Sequence, residues 1–244
     1  MTWPARNPLA AQVVASVTDL ADPVRADRVA RYLQAVPGGY GEGDEFLGVS
    51  VPQLRTLARR WRGIDREPVN ELLTSRFHEI RFLALLLMDG ECARADDAAA
   101  GDWVADYRVA LDQGRVNNWD LVDCSAAPIV GRWCLRRGDF GLLLELVADE
   151  RLWHRRTGIV GTHAHLRAGD PSATLAVAPI VIGDRRDLIQ KAFGWMLREM
   201  GKRVETRTLT EYLDVNAAQM GRTALRYAIE HLDASARSEY RALR

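Results

Sequence analysis

The sequence predicts an all-α fold, and three observations carry that prediction. Apolar residues recur at spacings of three and four along nearly the whole chain, the period of a helix face. No sustained alternation of apolar and polar residues nominates a strand. Prolines and glycines punctuate the pattern as helix boundaries do: Pro4, Pro23, Pro52 and Pro171 stand near starts, and Gly63, Gly90, Gly138, Gly169 and Gly183 near ends.

Taken in order, helices are expected over 8–20 and over 23–35, the second opened by Pro23. A glycine-rich stretch, Pro37 to Asp44, follows. It lacks the Gly-Lys-Ser/Thr of a Walker loop and has no strand before it, so two readings stay open: a flexible connector, or a close backbone approach to a phosphate. Helices 51–62, 67–74, 77–89 and 98–112 come next, with Gly63 and Gly90 closing the first and third. The pattern over 119–136 has Asn118 as its N-cap and contains Pro128, which implies a kink or a split. Helices 140–148, 152–167, 172–182, 185–201, 205–214 and 220–232 complete the chain. Short helices joined by tight turns fit a solenoid of helix pairs better than a four-helix bundle. Arg76 to Phe82 and Leu152 to Gly158 share an aromatic-plus-basic start, which suits divergent repeats of about forty residues. No linker cuts the chain, so one domain over 1–244 is expected.

Composition excludes several classes. With 48% hydrophobic and 27% charged residues the chain is neither disordered nor collagen-like. Its longest apolar run, Phe82 to Met88, is too short to span a membrane. Met1 to Leu9 lack the pattern of a signal peptide, and Cys92, Cys124 and Cys134 form no CxxC pair; a reduced, cytoplasmic protein is expected. Formal net charge is zero, but its distribution is uneven. Residues 151–244 carry 16 Lys and Arg against 10 Asp and Glu, whereas residues 1–150 carry 17 against 23. The positive half offers a field to an anionic partner, unless the asymmetry is chance drift of surface charge.

Three segments hold residues suited to chemistry. Trp119 and Asp123 lie four apart at a helix start and so share a face. Asp120 is accounted for as a first-turn acid at the positive end of the helix dipole. Asp123 sits among Leu121, Val122 and Cys124, where a carboxylate is partly desolvated; it is either functional or an ordinary salt-bridging acid beside a core Trp. On helix 185–201, Ile189, Phe193, Met196, Leu197 and Met200 form a core stripe, while Lys191, Trp195, Arg198 and Lys202 form a second stripe on another face. A ring among cations suits nucleic acid, supplying phosphate neutralisation and stacking together; a half-buried Trp under long basic side chains is the alternative. On helix 152–167, Arg156 shares a mostly apolar face with Leu152, Ile159 and His163, so it needs a carboxylate or phosphate partner, while Arg155 leans elsewhere. His163 and His165 point different ways, no cysteine or histidine grouping has zinc-ligand spacing, and no metal or organic cofactor is expected.

At these residues the chain resembles the AlkD-type DNA alkylation repair proteins, a family of HEAT-like helical-repeat DNA glycosylases. The likeness runs from about Ala30-Arg31-Tyr32 and Phe46-Leu47-Gly48-Val49 to Arg226-Tyr227-Ala228-Ile229-Glu230. It is tightest at Trp119-Asp120-Leu121-Val122-Asp123, at Arg155-Arg156-Thr157 and over Ile189 to Glu199. The resemblance implies a right-handed solenoid of HEAT-like antiparallel helix pairs with a concave basic groove. It places the family's catalytic Asp on Asp123, its lesion-facing tryptophans on Trp119 and Trp195, and its backbone-gripping Arg on Arg156. Lys191, Arg198, Lys202 and Arg155 become further DNA contacts, and a family Tyr near the lesion falls on Tyr32 or, across the glycine-rich stretch, on Tyr40. The chain departs from the family in carrying Asn118 where an additional Trp can stand.

The activity implied is a monofunctional glycosylase that excises N3- or N7-alkylated purines from double-stranded DNA, acting as a monomer with no cofactor and no base-flipping pocket. Two other readings remain open: a DNA-structure-binding protein of the same fold without excision, and a helical scaffold that binds protein through its tryptophans. The glycosylase reading requires Trp119, Asp123, Arg156 and Trp195 to act in one cleft.

Overall fold

The computed structural model describes residues 5–243, so Pro4 lies outside the described residues. Among these the chain is all-α; its one ladder-type pairing is an isolated bridge between Glu45 and Phe77. The backbone forms two compact units, Met1–Ser125 and Ala126–Arg244. None of the described helices is long and apolar enough to cross a membrane.

The first unit holds α1 (Pro8–Thr18), α2 (Pro23–Tyr32), α3 (Val51–Arg60), α4 (Arg66–Leu73), α5 (His78–Arg94), α6 (Asp97–Asp112) and α7 (Trp119–Ser125). Side-chain caps start several of them: Asn7 accepts from Leu9 and Ala10, Asp22 from Arg25 and Asp96 from Ala99. Pro23 and Pro52 occupy first turns, where a missing N–H costs nothing. The core is α5, with Ile80, Leu83, Ala84, Leu85 and Met88 fully buried. Gly90 does not end this helix as expected. It continues to Arg94 because Cys92 is buried in the next turn and Asp96 caps the helix that follows.

The second unit opens on a π-helical turn, Ala127–Gly131, followed by α8 (Arg132–Arg137), α9 (Gly141–Ala148), α10 (Leu152–Gly161) and α11 (His163–Arg167). It closes with α12 (Ser172–Val181), α13 (Asp187–Arg203), α14 (Thr206–Asn216), α15 (Arg222–Ala228) and α16 (Ala234–Ala242). The π turn is the break expected at Pro128: with no N–H to donate there, the ladder slips and Gly131 N–H reaches the Ala126 carbonyl at 2.9 Å. The span 152–167 divides at Thr162, whose hydroxyl donates back to the Ile159 carbonyl at 2.7 Å. α16 was not foreseen. It buries only Tyr240, so it has almost no apolar face to read; Asp233, capping Ala236 N–H, is its one clear signal.

α13 is the spine of this unit. Ile189, Phe193, Met196, Leu197 and Met200 are each at most 1% exposed, and burying such side chains stabilises by about 1.5–3 kcal/mol apiece. α15 lies so close that a Cβ on Gly194 would fall inside the shell of the Ala224 carbonyl oxygen and 2.7 Å from the Tyr227 Cβ. Gly194→Ala is therefore expected to destabilise by about 1–3 kcal/mol, read as a lower midpoint in urea. An unchanged midpoint would show that the two helices are not fixed at this spacing.

Candidate active site

The candidate residues fall into two sets, one on each unit. In the first unit α7 begins at Asn118, which is fully buried. Its side-chain oxygen accepts from Trp119 N–H at 2.8 Å, and its amide donates to the Leu33 carbonyl, just past α2, at 3.1 Å. One side chain thus starts α7 and fastens it to the end of α2. Leu121, Val122 and Ser125 face inward, which turns Trp119 and Asp123 outward on the half-exposed face. Tyr32, the last residue of α2 and 68% exposed, meets Trp119 edge-on with ring centroids 5.7 Å apart and planes at 83°. The structure brings together Tyr32, Trp119 and, one turn on, Asp123. Of the two tyrosines, Tyr32 makes this ring contact with Trp119.

The Cys124 thiol beside Asp123 is pushed well above the usual range by burial, with the Asp120 and Asp123 carboxylates adding to it. It therefore stays a neutral thiol and offers no thiolate nucleophile. The glycine-rich loop is tied to the first unit at Gly41. Gly41 packs against the Leu33 carbonyl and the Asn118 amide, where a Cβ would sit 2.5 Å and 3.1 Å from them.

Beneath α7 lies a charged cluster that the sequence pattern does not announce. His78, only 2% exposed, points Nδ1 at Asp44 (3.2 Å) and Nε2 at Asp120 (2.8 Å). Both ring nitrogens face carboxylates, so both carry protons and the ring is a cation. Phe46 stacks on it at 4.9 Å. Arg81 pairs with Asp44 at 2.7 Å and donates to the Ser75 and Arg115 carbonyls and to Asn117, whose amide in turn donates to Asp44 at 3.0 Å. Burial opposes the charge on His78, but the bonds to Asp120 and Asp44 outweigh it and raise the ring to about 9. Burial likewise opposes Asp44, yet His78, Arg81 and Asn117 hold it below the ordinary carboxylate range. Asp120 is thus more than a first-turn acid: one oxygen accepts from Leu121 N–H and the other holds His78. The signal lay in His78, Glu79 and Arg81, three ionisable groups opening a helix that runs on into the apolar stretch Phe82 to Met88.

In the second unit Trp195 is half-buried on α13, its ring 5.8 Å from that of His163. Burial and the nearby Arg203 lower the His163 pKa, against the pull of Glu199, so this ring is neutral near pH 7. Lys191, Trp195, Arg198 and Lys202 form the second stripe on the less buried face of α13. Lys191 pairs with Asp187 at 2.7 Å, Arg198 pairs with Glu230, and Lys202 is exposed. Arg156 is 4% exposed, and one guanidinium nitrogen donates to the Leu188 carbonyl, tying α10 to α13. Arg155 does turn to another face, where it bonds the Val147 carbonyl at 2.9 Å and the Asp184 carboxylate at 2.9 Å. Those bonds give Arg155 an internal, scaffold-holding task. Among the described residues no group of three or more His, Cys, Asp or Glu is arranged to hold a metal ion.

A family model described as DNA alkylation repair enzyme matches residues 13–232. No curated protein matches the sequence. A solved structure with a similar fold is a predicted DNA alkylation repair enzyme from Enterococcus faecalis, with a TM-score of 0.66 and 17% identity over 88% of this chain and 97% of that one. At that identity the likeness speaks for the fold. The family match runs from within α1 to just past α15 and takes in every candidate residue above, and on it the chain belongs to the DNA alkylation repair enzyme family.

Proposed function

We propose that the protein is a monofunctional glycosylase that removes cationic N3- or N7-alkylated purines from duplex DNA. The observation that carries the reading is the outward face of α7, where Asp123 stands one turn from Trp119 and the exposed ring of Tyr32 meets that indole edge-on. Membership of the DNA alkylation repair enzyme family supports alkylated DNA as the substrate class.

The chemistry asks little of the protein beyond electrostatics and position. An alkylated purine of this kind is already positive, so the C1′–N bond breaks with its electron pair going to the base, which leaves neutral without protonation. Positive charge then builds on the deoxyribose. Asp123 stabilises that charge and accepts a proton from the water that adds to C1′. The products are the free base and an abasic site. Trp119, with Tyr32 against it, offers a negative ring face to the sugar, and Trp195 is assigned as a further aromatic contact with the duplex. Arg156, already held on the Leu188 carbonyl, is assigned to a backbone phosphate, with little orientational freedom left to lose. Lys191, Arg198 and Lys202 neutralise backbone charge. Because the rings address the sugar, no pocket for an extruded base is required.

The test is incubation with N-methylated duplex DNA and chromatography of what is released. Free 7-methylguanine or 3-methyladenine is expected; duplex binding without release would leave a DNA-structure-binding protein instead. Lys191 is held by Asp187 and is assigned to phosphate, so borohydride treatment during reaction with abasic DNA is expected to trap no covalent adduct. A trapped adduct that disappears in Lys191→Ala would replace water with an amine nucleophile.

A further inference from the structure

Of the C-terminal end of the second unit, the mechanism uses only Arg198. There α13, α15 and α16 wall an open pocket of about 520 Å³ lined by Arg198, Arg226, Tyr227, Glu230, Arg237 and Arg241. Four guanidiniums and a single carboxylate therefore face one concavity. The chain itself restrains them. Arg198 pairs with Glu230, Arg226 lies over the Tyr227 ring at 5.4 Å, and Arg237 donates to the Leu232 carbonyl at 2.9 Å. The backbone at Arg241 is fixed too, its carbonyl accepting from Arg222 at 3.0 Å. The Arg198 hydrogen bond holds the Glu230 carboxyl below the ordinary glutamate range, and the charges of His231 and Lys202 add to it. The acid is thus fully ionised and offsets only one of the four cations. Arg198 Nε is buried and meets no acceptor among the described residues.

A solvated basic face would spread such side chains apart, since like charges held around one space repel. Guanidiniums gathered around a concave wall, those of Arg198 and Arg237 held by Glu230 and the Leu232 carbonyl, are arranged instead for an anion with several oxygens, which planar forks match better than ammonium groups do. We propose that this pocket is a backbone-phosphate subsite for the duplex, taking one or two phosphodiester groups of the strand that passes Trp195. Arg198 follows Trp195 by three residues, about 4.5 Å along the α13 axis. A strand that passes Trp195 carries its next phosphates toward Arg198, Arg226 and Arg241. The subsite rests on the reading of the chain as a duplex-binding repair enzyme.

The experiment measures affinity for an unmodified duplex over a salt series, for the full chain and for Arg226→Ala/Arg241→Ala, the two pocket arginines least tied to the fold. The slope of log K against log salt is expected to fall in magnitude by about 1–2, close to 0.9 for each phosphate no longer neutralised. Arg207→Ala, exposed on α14 and paired with Glu211, is expected to leave the slope unchanged. A double variant with the parental slope, an equal fall in Arg207→Ala, or a parent that does not bind duplex would each overturn the subsite. Thermal unfolding of the variants shows that they fold, and Arg237→Gln, expected to give a smaller fall, checks the same wall from α16. Base release is read separately. A parent that excises nothing while the double variant still shows the shallower slope leaves the subsite standing and removes the glycosylase reading.

Discussion

Asp123→Asn is expected to slow release of 7-methylguanine from methylated duplex by about 10²–10³-fold while leaving duplex affinity nearly unchanged. Asn keeps the shape and hydrogen-bonding reach of Asp but not its charge, and the proposed role of Asp123 is to meet a charge that exists only as the glycosidic bond opens. The loss therefore falls on the chemical step rather than on substrate binding, which single-turnover kinetics at saturating enzyme resolves. The neutral Cys124 thiol beside it cannot substitute as an anion. Asp123→Asn with parental single-turnover rates would sink the assignment of this carboxylate, whatever else the protein binds.

The largest effect on stability is expected at His78. Replacing it with Ala leaves Asp44 and Asp120 facing a buried space without their shared cation, a loss of about 3–5 kcal/mol. Asp120→Asn in the same chain is expected to recover part of that loss, because Arg81 and Asn117 still hold Asp44 and Asp120 is the acid that loses its cation. The cluster also sets a pH dependence whose sign follows from the direction of the shift. The folded-state pKa of His78, about 9, lies above its ordinary 6.5. Its contribution is thus complete below about pH 6.5 and is lost as pH rises through about 9. The shift corresponds to about 3 kcal/mol. Urea midpoints at pH 6, 8 and 10 should fall toward alkaline pH in the parent and show less of that fall in His78→Gln. Parallel curves for the two chains would mean the ring carries no charge.

The helices were legible because each depends on local periodicity and caps. α13 shows this best: its core stripe and its second stripe of Lys191, Trp195, Arg198 and Lys202 both read directly from spacing. The break at Pro128 was legible too, since a missing donor has one local consequence. Gly90 misled because a glycine within a helix is tolerated when burial on the far side continues. α16 was invisible for want of an apolar face. The His78 cluster was hidden for a different reason. Its members come from a loop, two helices and the turn before α7, and nothing local to Asp44 says that His78 and Arg81 will meet it. Arg155 and Arg156 make the same point, for what each of these neighbouring arginines bonds is decided largely by Asp184 and Leu188, residues remote from both in sequence.

The distance along the chain between partners in that cluster bears on how the protein is born. Asp44 and Asn117 are 73 residues apart, and Asn118 reaches back 85 residues to Leu33. A nascent chain that has emerged only through α6 carries Asp44, His78 and Arg81 without the amides and the second acid that complete them. Its interior there is unfinished until the ribosome delivers α7. Translation pausing just before Asn117 would hold a vulnerable intermediate, and pulse proteolysis of stalled chains ending before and after Ser125 would reveal the step at which resistance appears.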